Sequence, residues 1–154
     1  MTTDRPRRSR KTPRIYAISP SGSIGDRKRV ERACDHLAQA GFPVKLDRGA
    51  FSAWQRFAGT DEARLAALTR AAESTPPIVM ATRGGYGLTR IIDRIDFEAL
   101  AAADKQWVGL SDFTALHLGM LARAGAVSPD QAHPAGGGPR RRQQQRRGGA
   151  ARAE

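Results

Sequence analysis

Gln106-Trp107-Val108-Gly109-Leu110-Ser111-Asp112-Phe113-Thr114-Ala115-Leu116-His117 climbs through a short apolar run to a Gly-x-Ser turn, then breaks into helical spacing. A serine on a tight strand-to-helix turn presents its hydroxyl at the carboxyl edge of a sheet, where α/β hydrolases place a nucleophile. Trp107–Leu110 therefore reads as a buried strand and Asp112–Ala124 as the helix after it, with Gly125 past its end.

The same alternation runs upstream. Ile78-Val79-Met80-Ala81 is a buried strand between Pro76-Pro77 and the turn Arg83-Gly84-Gly85-Tyr86-Gly87, followed by short helices around Leu88–Arg94 and Phe97–Ala103. Thr60 reads as an N-cap with Asp61 and Glu62 against the helix dipole, and its helix runs to Glu73 with Leu65, Leu68 and Ala72 on one face. Ile15–Ile18 is the first strand, leading into Ser19-Pro20-Ser21-Gly22. A helix over about Asp26–Ala40 closes on Gly41, and Phe42–Leu46 is the second strand. Arg48–Gly59 reads as a loop or broken helix whose Phe51, Trp54 and Phe57 pack. Strands alternating with helices predict one α/β domain over residues 15–127: an open, mainly parallel, Rossmann-like sheet with helices on both faces.

The 154-residue chain has a net charge of +11, but its distribution matters more than its size. Residues 1–14 carry +5 and residues 128–154 carry +4, while the body between them carries only +2. Both tails are expected to be disordered. From Ser128 to Glu154 there is no Val, Ile, Leu, Met, Phe, Tyr, Trp or Cys, so this low-complexity stretch cannot build a core. It is either a basic tail or the out-of-frame product of a GC-rich gene, the second being favoured because the break follows a complete helix without a linker. Nucleic-acid binding beyond a weak, salt-dependent attraction to the tails is not expected, since they lack aromatic side chains on which bases stack.

Cys34 is the only cysteine, which excludes an intramolecular disulfide and fits a reducing compartment. It shares a stripe with Val30, Ala33 and Leu37 and is expected in the core. No run reaches the roughly 20 apolar residues of a membrane span, and Arg7-Arg8 lacks the apolar stretch of a signal peptide. Membrane partners are not expected, and the cytoplasm is the expected location.

Ser111 is the candidate nucleophile. It needs a base within hydrogen-bond reach and backbone donors for an oxyanion. The Asp112 amide, at a helix start, is one natural donor, and Gly85 in the glycine turn is the second. Two plainer explanations compete: a serine before a helix is commonly an N-cap, and adjacent glycines commonly serve a turn with positive φ. Neither glycine-rich turn has the spacing of a dinucleotide fingerprint or a P-loop. Ser19–Gly25 suits a phosphate site or the lining of a peptide cleft. The histidines complete nothing: His117 lies six residues into the helix after Ser111, about 9 Å along its axis, and reads as a satisfied core residue. His36 is off the apolar stripe and His133 is in the tail. No cluster has metal-ligand spacing, so neither metal nor cofactor is expected.

Four ordered segments resemble the LD-carboxypeptidase family of serine peptidases, which includes relatives that give self-immunity to microcin C. They are Ser19-Pro20-Ser21-Gly22, Phe57-Ala58-Gly59-Thr60-Asp61-Glu62-Ala63-Arg64, Ala81-Thr82-Arg83-Gly84-Gly85-Tyr86-Gly87, and Gly109 to His117. The resemblance covers residues 15–127, the family's N-terminal domain. It implies a cytoplasmic enzyme of peptidoglycan recycling that removes the terminal D-alanine from murein tetrapeptides. Ser111 would be the nucleophile, Gly85 and Asp112 the oxyanion amides, and Ser19, Ser21, Arg83, Gly84 and Tyr86 the lining of the substrate site. The partner is then a murein or microcin-like peptide; a second copy of the chain, forming a homodimer, is a further expected partner. The resemblance also implies a glutamate and a histidine from a C-terminal domain, which no position here matches. The chain is therefore expected to be the nucleophile-bearing half, inactive alone. The competing expectation is a non-catalytic module that binds a phosphorylated or carboxylated ligand on its sheet-edge loops.

Overall fold

The computed structural model describes residues 13–125, and the expectations for the basic tails, including His133, concern residues outside that range. Four strands, β1 (Ile15–Ile18), β2 (Val44–Leu46), β3 (Ile78–Ala81) and β4 (Gln106–Val108), form a sheet in the order β2-β1-β3-β4. All three pairings are parallel, as each return passes through helix. The returns are α1 (Arg27–Gln39), α2 (Asp61–Glu73), and the pair α3 (Gly87–Ile91) and α4 (Phe97–Ala102); α5 (Phe113–Ala124) follows β4.

Local chemistry fixes the boundaries. The Asp26 carboxylate caps α1 by accepting from the Arg29 amide at 3.0 Å, and the Thr60 hydroxyl caps α2 from the Ala63 amide at 3.2 Å. β2 starts two residues later than expected, because the Phe42 amide bonds back to Leu37 at the end of α1 and Pro43 has no amide to offer. β4 stops at Val108, two residues early, because Gly109–Asp112 already turns toward α5. The helix expected over Leu88–Arg94 becomes α3 and a single 3-10 turn.

One face of the sheet carries the core. Tyr16, Ile18, Val79 and Trp107 alternate onto it and meet Leu68 of α2, Leu88 and Ile91 of α3, Phe97 and Leu100 of α4, and Phe113, Leu116 and Met120 of α5. Each such large side chain contributes about 1.5–3 kcal/mol on burial. The buried stripe of α2 is Arg64, Ala67, Leu68 and Ala71, so the expected Leu65–Leu68–Ala72 face is rotated toward an arginine.

Among the described residues the other face is covered by α1 alone, and loosely. Ala17, Val44, Leu46 and Met80 face Val30, Cys34 and Leu37 across a groove of about 560 Å³. No residue of α1 is fully buried, which corrects the placement of Cys34 in the core: it is half-buried on the groove wall. That burial, with Asp35 and Glu31 nearby, still pushes its thiol pKa up.

Asp47, directly after β2, pins the layers together. Its buried carboxylate accepts from the Tyr16 hydroxyl at 2.7 Å, from Arg70 Nε and Nη2 at 2.8 Å each, and from the Gly49 amide at 2.8 Å. Burial alone would raise its pKa; the hydrogen bonds, those from Arg70 foremost, outweigh it and hold the carboxyl below its ordinary value.

Candidate active site

Ile18 pairs with Ala81 and Met80 with Val108, so β1, β3 and β4 end level. Their following turns, Ser19–Gly22, Thr82–Gly87 and Gly109–Asp112, meet at one edge, as the sequence predicts.

Ser111 stands there in the left-handed region at φ 63°, a conformation that costs a residue with a Cβ about 1–2 kcal/mol. It is exposed, and among the described residues its hydroxyl has no hydrogen-bond partner. Its backbone carbonyl, not its side chain, accepts from the Thr114 amide at 3.0 Å, and the cap position of α5 belongs to Asp112. The side chain is therefore no helix cap. A strained serine with a free hydroxyl on a strand-to-helix turn has the form of a nucleophile elbow.

The glycine turn closes on it. A Cβ on Gly84 would lie 2.5 Å from the Ser111 Cβ, 2.9 Å from its Oγ and 3.0 Å from the Leu110 carbonyl, so only glycine permits this approach. Gly85 follows at φ 144°, against the amide of Gly22. Among the described residues the backbone amides of Gly85 and Asp112 donate to no group of the fold. Arg83 bridges two turns, from Nη1 to the Ser23 carbonyl at 2.9 Å and from Nε to the Gly84 carbonyl at 3.2 Å. Tyr86 and Leu110 stand out into solvent, each more than four-fifths exposed.

Ser19 and Ser21 turn the other way. The Ser19 hydroxyl donates to the Ala50 carbonyl at 2.7 Å and meets the Thr82 hydroxyl at 2.7 Å. The Ser21 hydroxyl donates to Oδ2 of Asp112 and accepts from the Gly87 amide at 3.2 Å. Both residues are buried, so of the five expected to line the substrate site Arg83, Gly84 and Tyr86 alone remain accessible. A carboxylate beside Ser21 also sets the loop against a phosphate. His117 places Nε2 2.9 Å from the Trp107 carbonyl and its ring edge-on to Phe113 at 5.2 Å; it is satisfied as expected, but half-buried rather than in the core.

Two participants escape the sequence reading. Asp112 is there considered for its amide, yet its side chain joins Ser21 to the start of α3 by also accepting from the Leu88 amide at 3.0 Å. Arg64 is quoted but given no role. It is fully buried, donating from Nη1 to the carbonyls of Pro20, at 3.2 Å, and Gly87, and from Nη2 to Asp61 at 2.5 Å. Its guanidinium also lies 5.0 Å from the centre of the Phe57 ring. Burial drives the Arg64 pKa down, and Asp61 opposes that. The available signal is spacing: positions 64, 68 and 71 are the i, i+4, i+7 stripe of a helix.

The profile of the LD-carboxypeptidase N-terminal domain matches residues 15–130. The chain belongs to the LD-carboxypeptidase family. A Streptomyces coelicolor protein assigned as a carboxypeptidase is 37% identical over 132 residues, covering 80% of this chain and 41% of that protein. A Bacillus subtilis protein assigned as a murein peptide carboxypeptidase is 30% identical over 125 residues, 80% of this chain and 39% of that one. The muramoyltetrapeptide carboxypeptidase of Oxalobacter formigenes has a similar structure, with TM-score 0.61 and 33% identity over 70% of this chain and 36% of that one. The microcin C7 self-immunity protein MccF shares the fold at TM-score 0.69 and 24% identity, over 75% of this chain and 35% of its own. This LD-carboxypeptidase chain thus spans about two fifths of the length of the curated relatives it matches. Among its described residues no helix is long and apolar enough to cross a membrane.

Proposed function

We propose that this chain carries the nucleophile and oxyanion parts of a serine-type LD-carboxypeptidase whose substrate is a peptide ending in a D-residue, a murein tetrapeptide in the first instance. The observation that supports this most is the strained backbone of Ser111, φ 63°, beneath a hydroxyl with no structural task.

The Ser111 oxygen attacks the carbonyl carbon of the bond between the L-centre and the terminal D-alanine, and the carbonyl oxygen takes the negative charge. The amides of Gly85 and Asp112 stabilise that oxyanion. A base accepts the serine proton and passes it to the leaving amine, so D-alanine departs and an ester to Ser111 remains for water to hydrolyse. Arg83 and Tyr86 flank the peptide. The base is not among the described residues: His117 is turned to Trp107, and no glutamate hydrogen-bonds to Ser111. The glutamate and histidine of the family arrangement would come from chain beyond the matched segment. Exposed Leu110, Leu118 and Leu121 near the α5 side support a surface on which such chain packs.

The test is D-alanine release from a tetrapeptide by this chain and by Ser111→Ala, with circular dichroism confirming both folded. Equal background rates are expected. Release that the substitution abolishes would place a base within the chain and overturn the division of labour.

A further inference from the structure

The three turns at the sheet edge are tied by one chain of side-chain hydrogen bonds that passes behind the nucleophile. It begins at Asp61, which holds Nη2 of Arg64 at 2.5 Å. Arg64 Nη1 holds the carbonyls of Pro20, in the first turn, and Gly87, in the glycine turn. The Gly87 amide donates to the Ser21 hydroxyl at 3.2 Å, and that hydroxyl donates to Oδ2 of Asp112, the residue after Ser111. The same oxygen accepts from the Leu88 amide at 3.0 Å. Gly87 sits where all of this converges: a Cβ there would come within 2.8 Å of Arg64 Nη1 and of the Ser21 carbonyl.

Every polar atom in the middle of this chain is withdrawn from solvent. Ser21 is 1% exposed and Arg64 0%. Two atoms of the chain, Arg64 Nε and Asp112 Oδ1, are buried with no hydrogen-bond partner among the described residues. Each such orphan costs about 1–3 kcal/mol or more for a charged group. A domain stabilised by the core alone would do better with apolar side chains at these positions. The arrangement instead gives the glycine turn and the serine turn one fixed separation.

We propose that Ser21 and Asp112 are positioning residues for the oxyanion site, holding the Gly84–Gly87 turn at its distance from Ser111, with Arg64 closing the chain from behind. This rests on the roles given above to Ser111 and Gly85, but its test does not need turnover. Asp112 engages both donors through a single oxygen, so asparagine supplies the same acceptor and alanine supplies none. Ser21→Ala removes the middle link with the smallest change of volume.

The experiment follows backbone amide signals by NMR in the ¹⁵N-labelled full chain and in Asp112→Asn, Asp112→Ala and Ser21→Ala. The expected result is movement of the Gly85, Gly87 and Leu88 signals in Ser21→Ala and Asp112→Ala, recovery toward the native positions in Asp112→Asn, and unchanged signals along β1 and β2. Unmoved Gly85 and Gly87 signals in Ser21→Ala would overturn the proposal. So would an equal displacement in Asp112→Asn and Asp112→Ala. Should Asp112→Ala fail to fold, Ser21→Ala and Asp112→Asn decide it. The expected signal movements alongside a chain that never uses Ser111 would refute the catalytic roles and leave the hydrogen-bond chain standing as a structural clamp.

Discussion

Gly84 and Ser111 stand so close that a single carbon added to Gly84 would collide with the Cβ of the serine at 2.5 Å. The obstacles are a Cβ and the Leu110 carbonyl, both anchored to backbone, so the turn itself would have to move. Gly84→Ala should destabilise the chain by about 1–3 kcal/mol. Gly25→Ala, where a Cβ meets nothing within 4 Å, should stay within about 0.5 kcal/mol of the native chain. Urea denaturation of the two variants side by side checks the difference.

Ser111→Gly should raise stability by up to about 1 kcal/mol, because glycine occupies the left-handed region without the steric cost that serine bears. Any activity assembled on this domain should vanish in the same variant. A stabilising substitution at the proposed nucleophile would be the mark of strain kept for function. The denaturation midpoint reads the first effect, and D-alanine release by an assembled enzyme reads the second.

Much of this was legible in the chain because strands and helices carry their own periodicity. Ile15–Ile18 and Ile78–Ala81 match their predicted limits, and Thr60 and Asp26 cap as their residue types require. The boundaries that shifted have local causes: the Phe42 amide bonds back to Leu37, and the Gly109–Asp112 turn ends β4 early. The looseness of α1 depends on the width of a sheet face, which no local pattern records. At the site, Gly-Leu-Ser-Asp marked the strand-to-helix turn, but whether Ser21 faces solvent or Asp112 is a tertiary matter. Arg64 is the clearest case: a guanidinium on an apolar stripe is buried only because two carbonyls from distant turns arrive to receive it.

Arg64→Ala should cost about 3–5 kcal/mol, the scale for breaking a buried charged network, since it strands the Pro20 and Gly87 carbonyls and empties the space over Phe57. Arg94→Ala, whose partner Glu62 is exposed, should cost under about 1 kcal/mol. Thermal unfolding of both variants makes the comparison.

Asp47 predicts a particular acid sensitivity. Its carboxyl is held below the ordinary value near about 4, so the unfolded chain takes up the proton first as pH falls. Its contribution is complete above that ordinary value and is lost as pH falls through the lowered one. Asp47→Asn should therefore be less stable than the native chain at pH 7, and the gap should narrow on going to pH 3. Urea midpoints for the two proteins across that range test the sign.

The most direct measurement is D-alanine release by a chimera in which residues 15–125 of this chain replace the matching segment of the Oxalobacter formigenes muramoyltetrapeptide carboxypeptidase. Release that Ser111→Ala abolishes in a still-folded chimera is expected. A folded chimera whose release is indifferent to Ser111→Ala, or one that releases nothing, would contradict Ser111 as the nucleophile.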